Sequence, residues 1–139
     1  MKIELNQKDG LLFEAQNERQ NTIQVGISDL PDVHPIRPME LLLMGVAGCS
    51  SVDVIGILNK QRQKIDDYRV VVHGERVKAI PAIFKSIHVE FHLLGDIQPE
   101  KALHAIRLSI DKYCSVSKML EQTTNITTQL YLNNKKYEN

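Results

Sequence analysis

The clearest periodicity in this chain lies between Phe84 and Leu94, where Ile87, Val89, Phe91 and Leu93 alternate with Ser86, His88, Glu90 and His92. Successive side chains of a strand point to opposite faces, so the pattern predicts a half-buried β-strand. Tyr68 to Lys78, rich in Val, predicts another. Upstream, Lys2–Asn6, Leu11–Gln16 and Thr22–Ile27 alternate partially, separated by the turn-forming Lys8-Asp9-Gly10 and Glu18-Arg19-Gln20-Asn21, and predict a meander of three strands. From Pro38 to about Arg62 the period changes, and apolar positions nearly encircle a helical axis, as in a helix packed on more than one side. Pro99-Glu100 opens a second helix whose stripe Leu103, Ile106, Ile110 and Tyr113 follows 3-4-3 spacing and ends at Cys114. Ser115 to Glu121 fits a further helical turn, and Ile126, Gln129, Leu130 and Leu132 fit a last strand. The order β-β-β-α-β-β-α-β belongs to the α+β class.

With 139 residues, 42% of them apolar, the chain is expected to form one domain over residues 1–139. Its 17 basic and 17 acidic residues cancel and no basic face emerges, which argues against a nucleic-acid partner. The one long irregular stretch, Ser28 to Pro38, is broken by Pro31, Pro35 and Pro38. The most apolar stretch, Leu41 to Leu58, includes Ser50, Ser51, Asp53 and three glycines, too polar and too short for a comfortable membrane span, so no membrane partner is expected. Met1-Lys2-Ile3-Glu4-Leu5-Asn6 has no apolar targeting core, and the expected location is the cytoplasm, where disulfides are mostly transient and catalytic.

That compartment gives weight to the only two cysteines, Cys49 and Cys114. A thiolate that reduces a peroxide becomes a sulfenic acid, and a second thiol protects it by forming a disulfide that reductants reopen. Cys49 lies in the most apolar helix, where an inert core cysteine is the ordinary outcome. Cys114 sits at a helix junction, where the N–H groups of Ser115 to Ser117 can stabilise a thiolate, or where it simply packs at a chain reversal. Asp53 is one helical turn beyond Cys49, roughly 6 Å away between Cβ atoms. It is either a structural ion-pair residue or an organiser of the site. In the second role an unpaired carboxylate would oppose thiol ionisation, so an arginine is expected to bridge the two. His88 and His92 are about 13 Å apart on a strand, too far to share one ion, and read as surface residues. His34, His73 and His104 are scattered. No Cys-x-x-Cys, phosphate loop or Gly-x-Ser-x-Gly elbow is present, and neither a cofactor nor a metal is expected.

The segment Pro38-Met39-Glu40-Leu41-Leu42-Leu43-Met44-Gly45-Val46-Ala47-Gly48-Cys49, followed 65 positions later by Tyr113-Cys114-Ser115-Val116-Ser117-Lys118, resembles the OsmC/Ohr family of thiol-dependent peroxidases, and within it the OsmC-like proteins. The resemblance implies two long helices against curved antiparallel sheets in an intertwined homodimer. It further implies Cys49 as peroxidatic thiol, Cys114 as resolving thiol, organic hydroperoxides as substrates, and a dithiol reductant of lipoyl or other type. In the family an acid directly after the motif proline organises an arginine over the sulfur. Here that position is Met39, with Glu40 next, and nine helical residues from Glu40 to Cys49 rotate about 900°, which puts the two on opposite faces. The activating arginine of the family lies in the N-terminal meander, where Arg19, Lys8 and, in the following loop, Arg37 are the candidates. Ser115 replaces the proline that commonly follows the second cysteine. A different class of function is a non-catalytic small-ligand or lipid-binding dimer of the same fold, with Cys49 and Cys114 slow or inert toward oxidants.

Overall fold

A computed structural model describes residues 1–138. Its elements run β1 (Ile3–Asp9), β2 (Leu12–Asn17), β3 (Thr22–Gly26), α1 (Pro38–Lys60), β4 (Lys64–Arg76), β5 (Phe84–Asp96), α2 (Pro99–Leu108), a π-helical turn (Ser109–Tyr113), α3 (Ser115–Leu120), β6 (Asn125–Leu132) and β7 (Lys135–Tyr137). This is the mixed α+β architecture that the periodicities predict. The backbone divides into two compact units, Met1–Leu42 and a second beginning at Leu43.

The first unit is an antiparallel meander in the order β1-β2-β3. Gly26 pairs with Leu12 at φ 122°, and a Cβ there would collide with the Leu11 carbonyl, so glycine is required. The proline-broken loop returns to this sheet: Ile36 N–H donates to Gln24 O and Gly26 N–H to Ile36 O, each at 2.9 Å. Pro38 then starts α1. Glu40 reaches back to accept the Arg37 N–H at 2.9 Å, half of a capping box.

The second unit holds a four-stranded sheet, β4-β5-β6-β7. β5 realises its alternation, with Phe84, Ile87, Val89, Phe91 and Leu93 buried. The expectation of wholly antiparallel sheets needs one correction. β5 and β6 pair in parallel, Ser86 with Asn125 through Leu93 with Leu132, because the chain between them crosses over through α2. β4 starts at Lys64 rather than Tyr68, since a register shift between Ile65 and Asp67 hides the alternation there. β7 was not foreseen. It follows a two-residue turn, Asn133-Asn134, at φ 50° and 64°, values that asparagine tolerates.

By length and composition alone α1 is long and apolar enough to cross a membrane, with 23 residues and a mean hydropathy of 2.0 over its most apolar window, a test that core helices also pass. Val46, Ser50, Val54 and Leu58, spaced four apart, form its fully buried stripe. The expected continuous second helix also needs correction. It is α-helical only to Leu108, and the next turn widens so that Cys114 N–H donates to Ser109 O at 2.7 Å, five residues back.

Candidate active site

Three segments of the second unit converge on the two cysteines. The middle of α1 carries Cys49 and Asp53 on one face, the π-helical turn carries Ser109, and Cys114 stands at the first boundary of α3. One ligand atom from each of Cys49, Asp53 and Cys114 lies within 4.8 Å of the others. The chain thus joins residues 65 positions apart, as a two-thiol cycle requires. The extra residue in the π turn sets where Cys114 falls at the α3 junction, and such insertions recur at functional sites.

The two sulfurs differ in surroundings. Cys49 is half-buried, while Cys114 is fully buried and accepts hydrogen bonds from the Ser117 N–H at 3.4 Å and the Ser117 hydroxyl at 3.1 Å. Burial pushes the Cys114 thiol up; the Ser117 donors pull it down, and the adjacent Cys49 pushes it up again, with a net rise. Cys114 therefore keeps its proton through the neutral range. Asp53, half-buried, accepts from the Ser109 hydroxyl at 3.1 Å. Among the described residues of this unit, the Lys ion pairs Lys64–Asp66, Lys85–Glu75, Lys118–Glu121 and Lys136–Glu138 do not include Asp53.

Further along α1, Ser51 donates to Ala47 O at 2.6 Å and receives the Tyr68 hydroxyl at 3.1 Å. Burial pushes Tyr68 up to about 12, opposed by the Ser51 bond. A cavity of 630 Å³ opens beside Asp53, walled by Gly56, Ile57, Lys60, Gln61, Leu108 and Tyr113.

Of the other predicted site residues, Arg19 belongs to the β2–β3 turn of the first unit, where its N–H donates to Asn17 Oδ1 at 3.0 Å. Glu40 is engaged at the start of α1, and Lys8 pairs with Glu14 at 3.6 Å. The Ser117 N–H is among the donors expected at Cys114, and its hydroxyl adds a second bond. Ser109 escaped the sequence reading, its only signal a serine beside the apolar stripe of the second helix. His92, expected on the surface, is half-buried and stacks on Tyr131 with centroids 4.6 Å apart, 3.2 Å from Glu90 Oε2; His88 lies 2.8 Å from Thr127 Oγ1.

The sequence model of the OsmC-like protein family matches residues 34–129, a span that holds both cysteines, Asp53 and Ser109. Protein YhfA of Escherichia coli K12 is 43% identical over 91 residues, 65% of this chain and 68% of its own. A protein of Aquifex aeolicus VF5, described only as hypothetical, superposes with a TM-score of 0.84 at 30% identity, over 95% of this chain and 96% of its own. The organic hydroperoxide resistance protein OhrB of Bacillus subtilis shares the fold with a TM-score of 0.64 at 16% identity, over 94% of this chain and 98% of its own. This chain belongs to the OsmC-like protein family.

Proposed function

We propose that the protein reduces organic hydroperoxides through a two-cysteine cycle. The observation that carries this reading is the approach of Cys49 Sγ, Cys114 Sγ and an Asp53 carboxylate oxygen to within 4.8 Å of one another. Cys49, the less buried sulfur, attacks the terminal peroxide oxygen as thiolate. The O–O bond breaks, the alkoxide leaves and takes a proton, and Cys49 becomes a sulfenic acid. The Cys114 thiol then displaces water to form the disulfide, which a dithiol of lipoyl or other type reduces by two exchange steps. Cys114 suits the second step because burial shields it from peroxide and keeps it protonated until it is needed. The cavity beside Asp53 has room for the organic part of the substrate. Arg19 and Glu40 enter the proposal only through the family resemblance, as cation and acid.

A second copy of the chain is the proposed partner. α1 leaves Met44 52% and Val52 74% exposed, and β1 leaves Ile3 65% exposed, apolar surface that a homodimer would cover. The cytoplasm is the proposed compartment, since the cycle needs a reducing thiol pool.

The test is to mix reduced protein with one equivalent of cumene hydroperoxide, and separately of hydrogen peroxide, and to read the Cys49–Cys114 linkage by mass spectrometry within seconds. The expected result is a rapid intramolecular disulfide, faster with the organic peroxide, absent in Cys49→Ser and slowed tenfold or more in Arg19→Ala. Thiols still free after minutes would refute the peroxidase and leave a ligand-binding dimer.

A further inference from the structure

The same three side chains form a donor set that peroxide chemistry does not explain. A hydroperoxide cycle needs two sulfurs, yet a carboxylate oxygen stands within 4.8 Å of both. Negative charge beside a thiolate opposes its formation. Two thiolates and a carboxylate facing a common centre are instead a ligand set for a divalent, borderline-soft cation, which turns that repulsion into attraction. In a tetrahedral zinc site, ligand atoms lie about 3.5–3.8 Å apart, so a set already within 4.8 Å is ~1 Å from that spacing.

The surroundings also fit. Metal ligands are oriented by outer hydrogen bonds, and two of the ligands here have them: the Ser109 hydroxyl on Asp53 Oδ2 at 3.1 Å, and the Ser117 hydroxyl and N–H on Cys114 Sγ at 3.1 and 3.4 Å. Ser109 is further held by the Ser50 carbonyl at 3.4 Å, and Ser50, Ser109 and Ser117 are all fully buried. Asp53 also lines the 630 Å³ cavity, through which an ion can enter and a water can complete its shell.

We propose that the reduced protein binds one zinc ion through Cys49, Asp53 and Cys114, with water as the fourth ligand. Binding releases the two thiol protons. Oxidation of the zinc dithiolate by a hydroperoxide, with uptake of two protons, yields the disulfide, an alcohol, water and the free ion. Metal and disulfide are therefore mutually exclusive, and bound zinc slows attack on both sulfurs. The proposal rests on the same site as the peroxidase reading, but its test involves no peroxide, so either can fail alone.

The experiment titrates the reduced full chain with cobalt(II), then displaces it with zinc. One equivalent is expected to give thiolate-to-cobalt charge transfer and the intense visible bands of a tetrahedral site, both abolished by zinc. Asp53→Asn, which keeps an acceptor for Ser109, is expected to weaken zinc binding tenfold or more, and zinc to slow iodoacetamide alkylation of both cysteines at least tenfold in the parent protein. Prior oxidation with diamide should abolish binding. The absence of thiolate–cobalt bands, a zinc affinity unchanged in Asp53→Asn, or retained binding after Cys114→Ser with unchanged circular dichroism would each overturn the proposal.

Discussion

The Ser109 hydroxyl donates to the Asp53 carboxylate at 3.1 Å, so the negative charge next to Cys49 and Cys114 is held by a neutral, fully buried donor on the π-helical turn. This bond ties the middle of α1 to the segment that positions Cys114. Ser109→Ala removes the donor and opens a small gap at a closely packed point. The expected cost is about 1–2 kcal/mol in urea-induced unfolding, together with slower disulfide formation as α1 and the π turn loosen. A stability equal to that of the parent would show that the bond contributes nothing.

Removing the charge of Asp53 has a different consequence. Two negative charges ~5 Å apart at a partly solvated site repel each other by ~1 kcal/mol. Asp53→Asn is therefore expected to speed alkylation of Cys49 at neutral pH about fivefold in metal-free protein, measured with limiting iodoacetamide. A slower reaction would mean that Asp53 promotes ionisation, for example by accepting the thiol proton.

The two cysteines should separate in the same assay. Cys114 is fully buried and its thiol is held above the ordinary range, so under native conditions Cys49 is expected to be labelled at least ten times faster, with Cys114 labelling increasing only in alkaline solution. Peptide mass spectrometry after a brief pulse gives the order directly. Equal labelling would contradict the division of roles between them.

Tyr68 supplies a pH dependence of stability. Its hydroxyl is pushed from 10.0 to about 12 in the folded chain, so the folded state holds this proton more tightly than the unfolded state does. The associated stability is complete below pH 10 and is lost as pH rises through 12, on the order of 2 kcal/mol over that window. Unfolding by urea at several values from about pH 9 upward should show a steeper fall for the parent than for Tyr68→Phe. Parallel curves would mean that Tyr68 does not carry the effect.

The elements were largely legible because their signals are local. The two-residue period of β5 and the encircling apolar positions of α1 each report a backbone conformation that nearby side chains enforce, and Pro38 marks the start of a helix that Glu40 then caps. The misreadings arose where distant parts of the chain choose. Nothing near Asn125 states that β6 will lie parallel to β5, and the 3-4-3 stripe from Leu103 to Tyr113 accommodates one extra residue in a turn without losing its apolar face.

The two thiols, their motifs and the family they point to are written in the residue order, since motif chemistry depends on residue type and spacing along the chain. That Cys49, Asp53 and Cys114 meet within 4.8 Å, that the Ser109 hydroxyl donates to the carboxylate, and that one sulfur is fully buried while the other is half-buried came only with the folded chain. Those relations depend on how α1 packs against the π turn and α3. Contacts between residues 65 positions apart are set by the shape of a shared core, which no local stretch of sequence encodes.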